Sequence, residues 1–223
     1  MDWAGQKNCW ENFRSDLSEG YEVISIDFLG FGDSPKPKCE YSLENQIDSI
    51  EHVIKREGLN KDNTIIVGHS LGALIALGLV KKFGFQNITL IAIPIFLNKF
   101  AERKRLENIF FYFKLSLNRK YRIYCFFQLI YRFIPFIERK IGLPRNIYLN
   151  SLKLTWLSLY NTIDNLLFKI DVYDFLKDIY NKNVLFIHGD QDRTSKIEPA
   201  REFAKKTTQF SIYYFSKLWS YGA

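Results

Sequence analysis

The feature that most constrains the fold is one serine between two glycines, where a β-branched apolar run meets an Ala- and Leu-rich run. Residues 64–77 read TIIVGHSLGALIAL. The residues before Gly68 favour a buried strand, and those after Ser70 favour a buried helix. Gly-His-Ser-Leu-Gly has the G-x-S-x-G spacing, and a strand-to-helix setting is where that motif exposes a reactive serine. A tight turn with an incidental serine is the alternative interpretation.

The geometry of this five-residue elbow, residues 68–72, can be predicted from its tightness. Ser70 must adopt strained backbone angles, and side chains in place of Gly68 or Gly72 would collide with neighbouring backbone. The turn lifts the Ser70 hydroxyl above the sheet edge, beside the first turn of the helix. The backbone amide of Leu71 then points at an oxyanion formed on a bound carbonyl, and the helix dipole adds to the attraction.

The rest of the chain alternates between strand-like and helix-like segments. We predict strands over 21–27, 64–69, 88–92, 184–188 and 211–215, and helices over 42–58, 70–83 and 198–206. This alternation predicts an α/β fold in which a mostly parallel sheet is flanked by helices. The longest apolar runs, 71–80 and 88–97, are too short to span a bilayer.

The long stretch 94–183 departs from this alternation. It contains aromatic-rich amphipathic segments and no clear strand. We predict that it forms a helical cap, inserted between two sheet strands and lying over their carboxyl ends. The core that contains the sheet then consists of residues 1–93 and 184–223.

Positive charge is concentrated in the same stretch. Between Lys99 and Arg145 there are twelve Lys or Arg and three Asp or Glu, although the net charge of the whole chain is only +7. Such an excess can favour anionic substrates or a membrane surface, but a solvated face is the commoner origin. Nucleic-acid binding is not predicted, because no recognisable module accompanies the charge.

The cysteines and the first residues indicate the setting of the chain. The three cysteines are scattered without the spacing of a metal site, so we predict a reduced, cytoplasmic protein without a metal. The N-terminal residues lack the basic and then apolar pattern of a signal peptide.

Beyond the elbow, two further motifs give the chain a resemblance to the α/β-hydrolase family. YEVISIDFLGFGDS resembles the family's fourth strand with its G-x-G-x-S turn, and VLFIHGDQDRTS resembles its seventh strand and the loop carrying the acid. A dinucleotide site is disfavoured, because Pro35 stands where the third glycine of that motif belongs. The resemblance implies a serine hydrolase without cofactors that acts on a carboxylic ester, or similar small carbonyl compound, through an acyl-enzyme.

The resemblance also implies roles for individual residues. Ser70 is the predicted nucleophile, and Asp192 is the predicted acid that orients a histidine. Asp192 has the family's G-x-x-D spacing from Gly189, whereas the competing carboxylate, Asp190, is interpreted as turn-forming.

The N-terminal MDWAGQKNCW resembles the family's H-G-W-G-G loop. Trp3 would then supply a second backbone amide beside that of Leu71 for the oxyanion. Phe, Tyr, Leu and Ile of the cap are expected to line a pocket for an apolar acyl group, although such residues are more often cap core.

The base expected from the family order Ser, Asp, His has no counterpart after Asp192. His52 is predicted in a surface helix, His69 lies beside the nucleophile, and His188 ends a strand and is interpreted as a packed structural histidine. We therefore expect a fragment shortened at both ends, by truncation or a frameshift, or a member that lost its triad. An inactive protein of hydrolase fold that binds a ligand or partner is the alternative function.

Overall fold

The computed structural model describes residues 10, 20–109, 153–205 and 210–215. Its centre is a parallel sheet of four strands in the spatial order β1-β2-β3-β4. The strands are β1 Ile65–His69, β2 Asn87–Ile91, β3 Asn183–Gly189 and β4 Phe210–Phe215. Each strand is followed by at least one helix before the next strand, which is the connection that parallel pairing requires. The predicted α/β fold with a mostly parallel sheet flanked by helices is confirmed.

Six α-helices surround these strands in the described ranges. They are α1 Leu43–Arg56, α2 Leu71–Phe83, α3 Lys99–Ile109, α4 Trp156–Thr162, α5 Val172–Asp178 and α6 Ile197–Ala204, with a π-helical turn over Ile163–Leu167. Helix α1 begins at the predicted cap, because Ser42 and Asn45 exchange side-chain-to-backbone hydrogen bonds. Helix α2 ends at Gly84, whose φ of 75° lies in the left-handed region. None of the described helices is long and apolar enough to cross a membrane.

Helix α2 is the centre of the core. Its residues from Gly72 to Val80 are all buried, because the helix contacts β1, β2, α1 and α5. The strands face it with apolar side chains in register: Ile88 lies beside Val184, and Leu90 beside Phe186. A helix that is apolar on all sides is stable only when it is enclosed in this way. This packing fixes the start of α2, and therefore the position of the elbow.

The predicted strand over 21–27 is wrong in the described structure. These residues are not paired with the four-stranded sheet, in which β1 lies at one end of the strand order. An apolar run becomes a strand only when a neighbour satisfies its backbone groups. The turn that follows is fixed by a side chain instead, since the buried amide of Gln46 accepts from the Leu29 nitrogen (2.9 Å) and donates to the Leu29 oxygen (3.0 Å).

The described part of the insertion between β2 and β3 is helical but packs in two different ways. Helix α5 and the residues just before it join the main core around α2, where Leu166, Val172 and Leu176 are buried. Helices α3 and α4 form a second cluster through Leu106 and Leu159. Residues 110–152 of the predicted cap lie outside the described residues, so the division at 94–183 stays a prediction.

Candidate active site

The serine elbow has the strained backbone predicted for it. Ser70 lies between the last residue of β1 and the first residue of α2, with φ 50° and ψ −116°. Its amide donates to the carbonyl oxygen of Ile91 on the neighbouring strand, at 2.8 Å, which holds this conformation. A non-glycine residue in so sparsely populated a region costs about 1–3 kcal/mol and persists only where its surroundings impose it.

The two glycines of the elbow differ in how strongly their surroundings exclude a side chain. A Cβ atom at Gly68 would lie 2.7 Å from both the carbonyl carbon of Gly72 and the Cα atom of Ala73. Among the described residues, a Cβ atom at Gly72 would meet only the ring of Phe28, at 3.1 Å. The predicted collision with backbone is therefore confirmed for Gly68 and is wrong for Gly72, where the contact is with a side-chain ring.

The amide of Leu71, the predicted oxyanion donor, lies at the start of helix α2. Leu71 is the first residue of the 13-residue helix α2, and the first N–H groups of a helix have no acceptor within it. The helix dipole places partial positive charge at the same point. Trp3, the predicted second donor, lies outside the described residues, so both assignments stay predictions.

The candidate acid lies in the loop after β3, residues 190–195, which we call the acid loop. Asp192 is half-buried, and its Oδ1 atom accepts from the amides of Thr194 (2.7 Å) and Ser195 (3.1 Å). The exposed Asp190 makes no such bond within the described ranges. Asp190 lies in the turn that the hydrogen bond from the Asp192 amide to the Gly189 carbonyl closes (3.3 Å), in line with its predicted turn-forming role. The Asp192 carboxylate binds the amides that follow this turn.

Ser70 and Asp192 lie beyond the carboxyl ends of strands β1 and β3, and therefore at the same edge of the sheet. One strand, β2, separates them. At a spacing of about 4.8 Å between neighbouring strands, β1 and β3 are roughly 10 Å apart. An imidazole with a hydrogen bond on each side covers a distance of this order.

The histidines differ sharply in their surroundings. His52 is exposed on α1, and His69 is half-buried at the end of β1. His188 is only 1% exposed, and its Nε2 atom lies 2.8 Å from the carbonyl oxygen of Ser195. Because a carbonyl only accepts, Nε2 carries the proton; Nδ1 has no hydrogen-bond partner in the described structure. Burial lowers the pKa of His188, opposed by that bond and by the charge of Asp192.

The lowered pKa of His188 predicts a loss of stability in mild acid. Because the folded pKa lies below the ordinary 6.5, the unfolded chain binds the proton first as the pH falls. The free energy of unfolding should be largest above about pH 6.5 and should fall below it, by up to about 1.4 kcal/mol per pH unit, until the folded pKa is reached. Urea unfolding between neutral and mildly acidic pH measures this slope. His188→Gln, which keeps a donor for Ser195 but does not titrate, should flatten it; parallel curves for both proteins would contradict a neutral, buried His188.

In the described part of the basic segment, some positive side chains bind other parts of the protein and others are exposed. Arg103 pairs with Asp164 at 2.7 Å, and Arg105 donates to backbone carbonyls of the acid loop. Lys104 between them is exposed. Two of the positive charges therefore hold helix α3 to its neighbours. Within the described ranges no cluster of three His, Cys, Asp or Glu side chains could hold a metal ion.

Comparison with known proteins adds to this geometry. The family model of the alpha/beta hydrolase fold matches residues 3–217. A protein of Arabidopsis thaliana named "Probable lysophospholipase BODYGUARD 4" is 40% identical over 118 residues, which cover 47% of this chain and 28% of that protein. "Probable lysophospholipase BODYGUARD 3" of the same plant is 26% identical over 212 residues, covering 82% and 42%. The chain thus spans less than half the length of these relatives.

Among solved structures, an esterase from Exiguobacterium antarcticum superposes with a TM-score of 0.70. The superposition covers 96% of this chain and 81% of the esterase, at 20% sequence identity. At that identity the likeness shows a shared fold only.

Proposed function

The chain belongs to the α/β-hydrolase fold family, and we propose that it is a serine hydrolase with Ser70 as nucleophile and Asp192 as acid. The observation that carries the proposal is the backbone of Ser70, held at φ 50° between a buried strand and a buried helix. Strain of this kind has no structural use at a turn that glycine would fill without it. It does present a hydroxyl beside the N-terminus of α2.

In the proposed chemistry, the acyl group of the substrate ester is transferred first to Ser70 and then to water. The Ser70 oxygen bonds to the substrate carbonyl carbon as its own proton passes to a base, and the Leu71 amide stabilises the resulting oxyanion. Collapse expels the alcohol, which takes up the proton, and leaves an acyl group on Ser70. Water then attacks the acyl-enzyme in the same way, releasing the carboxylic acid and the free serine.

The substrate we propose is a carboxylic ester with an apolar acyl part. Two relatives whose names read "Probable lysophospholipase" support an ester of this kind. The described cap region supplies apolar surface, since the side chains of Leu97 and Phe100 are 74% and 78% exposed. A cytoplasmic location stays a prediction.

A ligand-binding protein without catalysis is the second candidate, and the histidines favour it. All three precede Asp192 in the 223 residues, and the one nearest to it in sequence is buried with a lowered pKa. A serine hydroxyl without a base is a poor nucleophile at neutral pH. The elbow would then be part of the fold without a catalytic role.

Labelling with a fluorophosphonate probe separates the two candidates. We expect weak labelling of the 223-residue chain in buffer and a rise of about tenfold or more when free imidazole is added, because a dissolved base can replace part of a missing one. Ser70→Ala, which keeps the fold, should remain unlabelled under both conditions. Labelling mapped by mass spectrometry to another residue, or labelling of Ser70 that stays weak when imidazole is added, would exclude the hydrolase proposal and favour the binding protein.

A further inference from the structure

One side chain of helix α3 reaches the acid loop across a large separation in sequence. The guanidinium group of Arg105 donates from Nη1 to the carbonyl oxygen of Arg193 (2.6 Å) and from Nη2 to that of Thr194 (3.0 Å). The side chain is only 23% exposed, and its Nε atom is bonded to Glu102 one turn earlier on the helix. The guanidinium is therefore held in place from its own helix while its two ends bind the loop.

The two carbonyls that Arg105 binds belong to the same peptide groups that hold Asp192. The carbonyl of Arg193 shares a peptide unit with the amide of Thr194, and the carbonyl of Thr194 shares one with the amide of Ser195. Those two amides donate to Oδ1 of Asp192, at 2.7 and 3.1 Å. Arg105 and Asp192 therefore bind opposite ends of the same pair of peptide units.

A peptide unit transmits both orientation and polarisation. It is planar and rigid, so a guanidinium that fixes two carbonyls also fixes the two N–H groups on the other side. A hydrogen bond to the carbonyl oxygen polarises the amide and strengthens the bond that its N–H makes. Arginine suits this role because its planar fork presents two parallel donors, whereas lysine is a point charge.

We infer that Arg105 is a positioning residue for Asp192, acting through the peptide units 193–194 and 194–195. The catalytic role of Asp192 in this inference rests on the proposed function. Through Arg105, helix α3 of the cap region is linked to the proposed catalytic acid. When α3 is seated, the carboxylate is held in one orientation. Movement of α3 away from the acid loop would break both hydrogen bonds from Arg105 to the loop carbonyls.

The test uses amide hydrogen exchange and amide proton shifts of Thr194 and Ser195, measured by NMR on the 223-residue chain. Arg105→Ala should speed exchange at both amides about tenfold or more and shift both proton resonances upfield, with buried amides of α2 unchanged. Arg105→Lys should restore only part of the protection. The matched control is Arg103→Ala, on the same helix and 29% exposed, which loses its pairing with Asp164 and should leave both loop amides as they were.

A double-mutant cycle separates positioning from general loosening. In Asp192→Ala the amides have lost their acceptor, so adding Arg105→Ala should change their exchange far less than it does in the unmodified chain. Equal effects in both backgrounds, or equal effects of Arg103→Ala and Arg105→Ala, would overturn the inference. These readouts need no catalysis. An unlabelled Ser70 together with the expected amide changes would therefore refute the hydrolase proposal and leave the Arg105–Asp192 coupling in place.

Discussion

Replacing Gly68 by alanine is expected to lower the free energy of unfolding by about 3 kcal/mol or more. The added Cβ would lie 2.7 Å from backbone atoms of Gly72 and Ala73, closer than carbon atoms approach one another in folded proteins. Neither backbone position can shift alone, because α2 is enclosed by the sheet and by α1 and α5. Relief requires β1 and α2 to separate, and that opens the core. Urea unfolding followed by circular dichroism measures the loss.

Gly72→Ala is the matched control for this prediction. Within the part of the chain that the structure describes, its Cβ would meet only the ring of Phe28, a half-buried side chain. Alanine is also the better helix former. We expect a loss well under half of that at Gly68. Equal losses at the two positions would mean that the elbow tolerates no added atom anywhere, and that contact with the α2 backbone is not the deciding factor.

Local patterns were sufficient for most of the fold. The predicted strands 64–69, 88–92, 184–188 and 211–215 lie within one or two residues of β1 to β4, and the helices 42–58, 70–83 and 198–206 correspond to α1, α2 and α6. In each case the apolar pattern lies within the segment itself, and for α1 the capping residue Ser42 does as well. The run 21–27 has the same composition but no pairing with the described sheet, and a partner strand cannot be read from the run alone.

In the candidate site, too, features set by neighbouring residues could be predicted from the sequence, and features set by distant contacts could not. The elbow was predictable because its sequence pattern lies within five consecutive residues, and Ser70 has the strain expected of it. The roles of Asp190 and Asp192 were harder, because either carboxylate fits a turn and only the folded loop shows which one bonds to its amides. Arg105 had no signal in the sequence, since it binds backbone carbonyls 88 and 89 residues away, and any residue type supplies a carbonyl.

Replacing Ser70 by glycine is expected to remove the reactivity and to stabilise the protein at the same time. Serine at φ 50° carries strain of about 1–3 kcal/mol, and glycine adopts such angles without a Cβ penalty. Glycine also loses more backbone entropy on folding, by roughly 0.5–1 kcal/mol, so the net gain should be about 1 kcal/mol. Urea unfolding measures the gain, and fluorophosphonate labelling, with and without imidazole, should fall to the background level.

Ser70→Ala separates the two effects, because alanine lacks the hydroxyl but keeps the Cβ atom that causes the strain. It should lose labelling as completely as the glycine variant and yet remain close to the original chain in stability. If the glycine and alanine variants unfold at the same urea concentration, no strain is stored at this position. The main physical argument for Ser70 as a nucleophile would then be lost, whatever the sequence around it. A glycine variant that is more stable than both other forms would instead show that the fold gives up stability at one residue, the one whose hydroxyl the elbow presents.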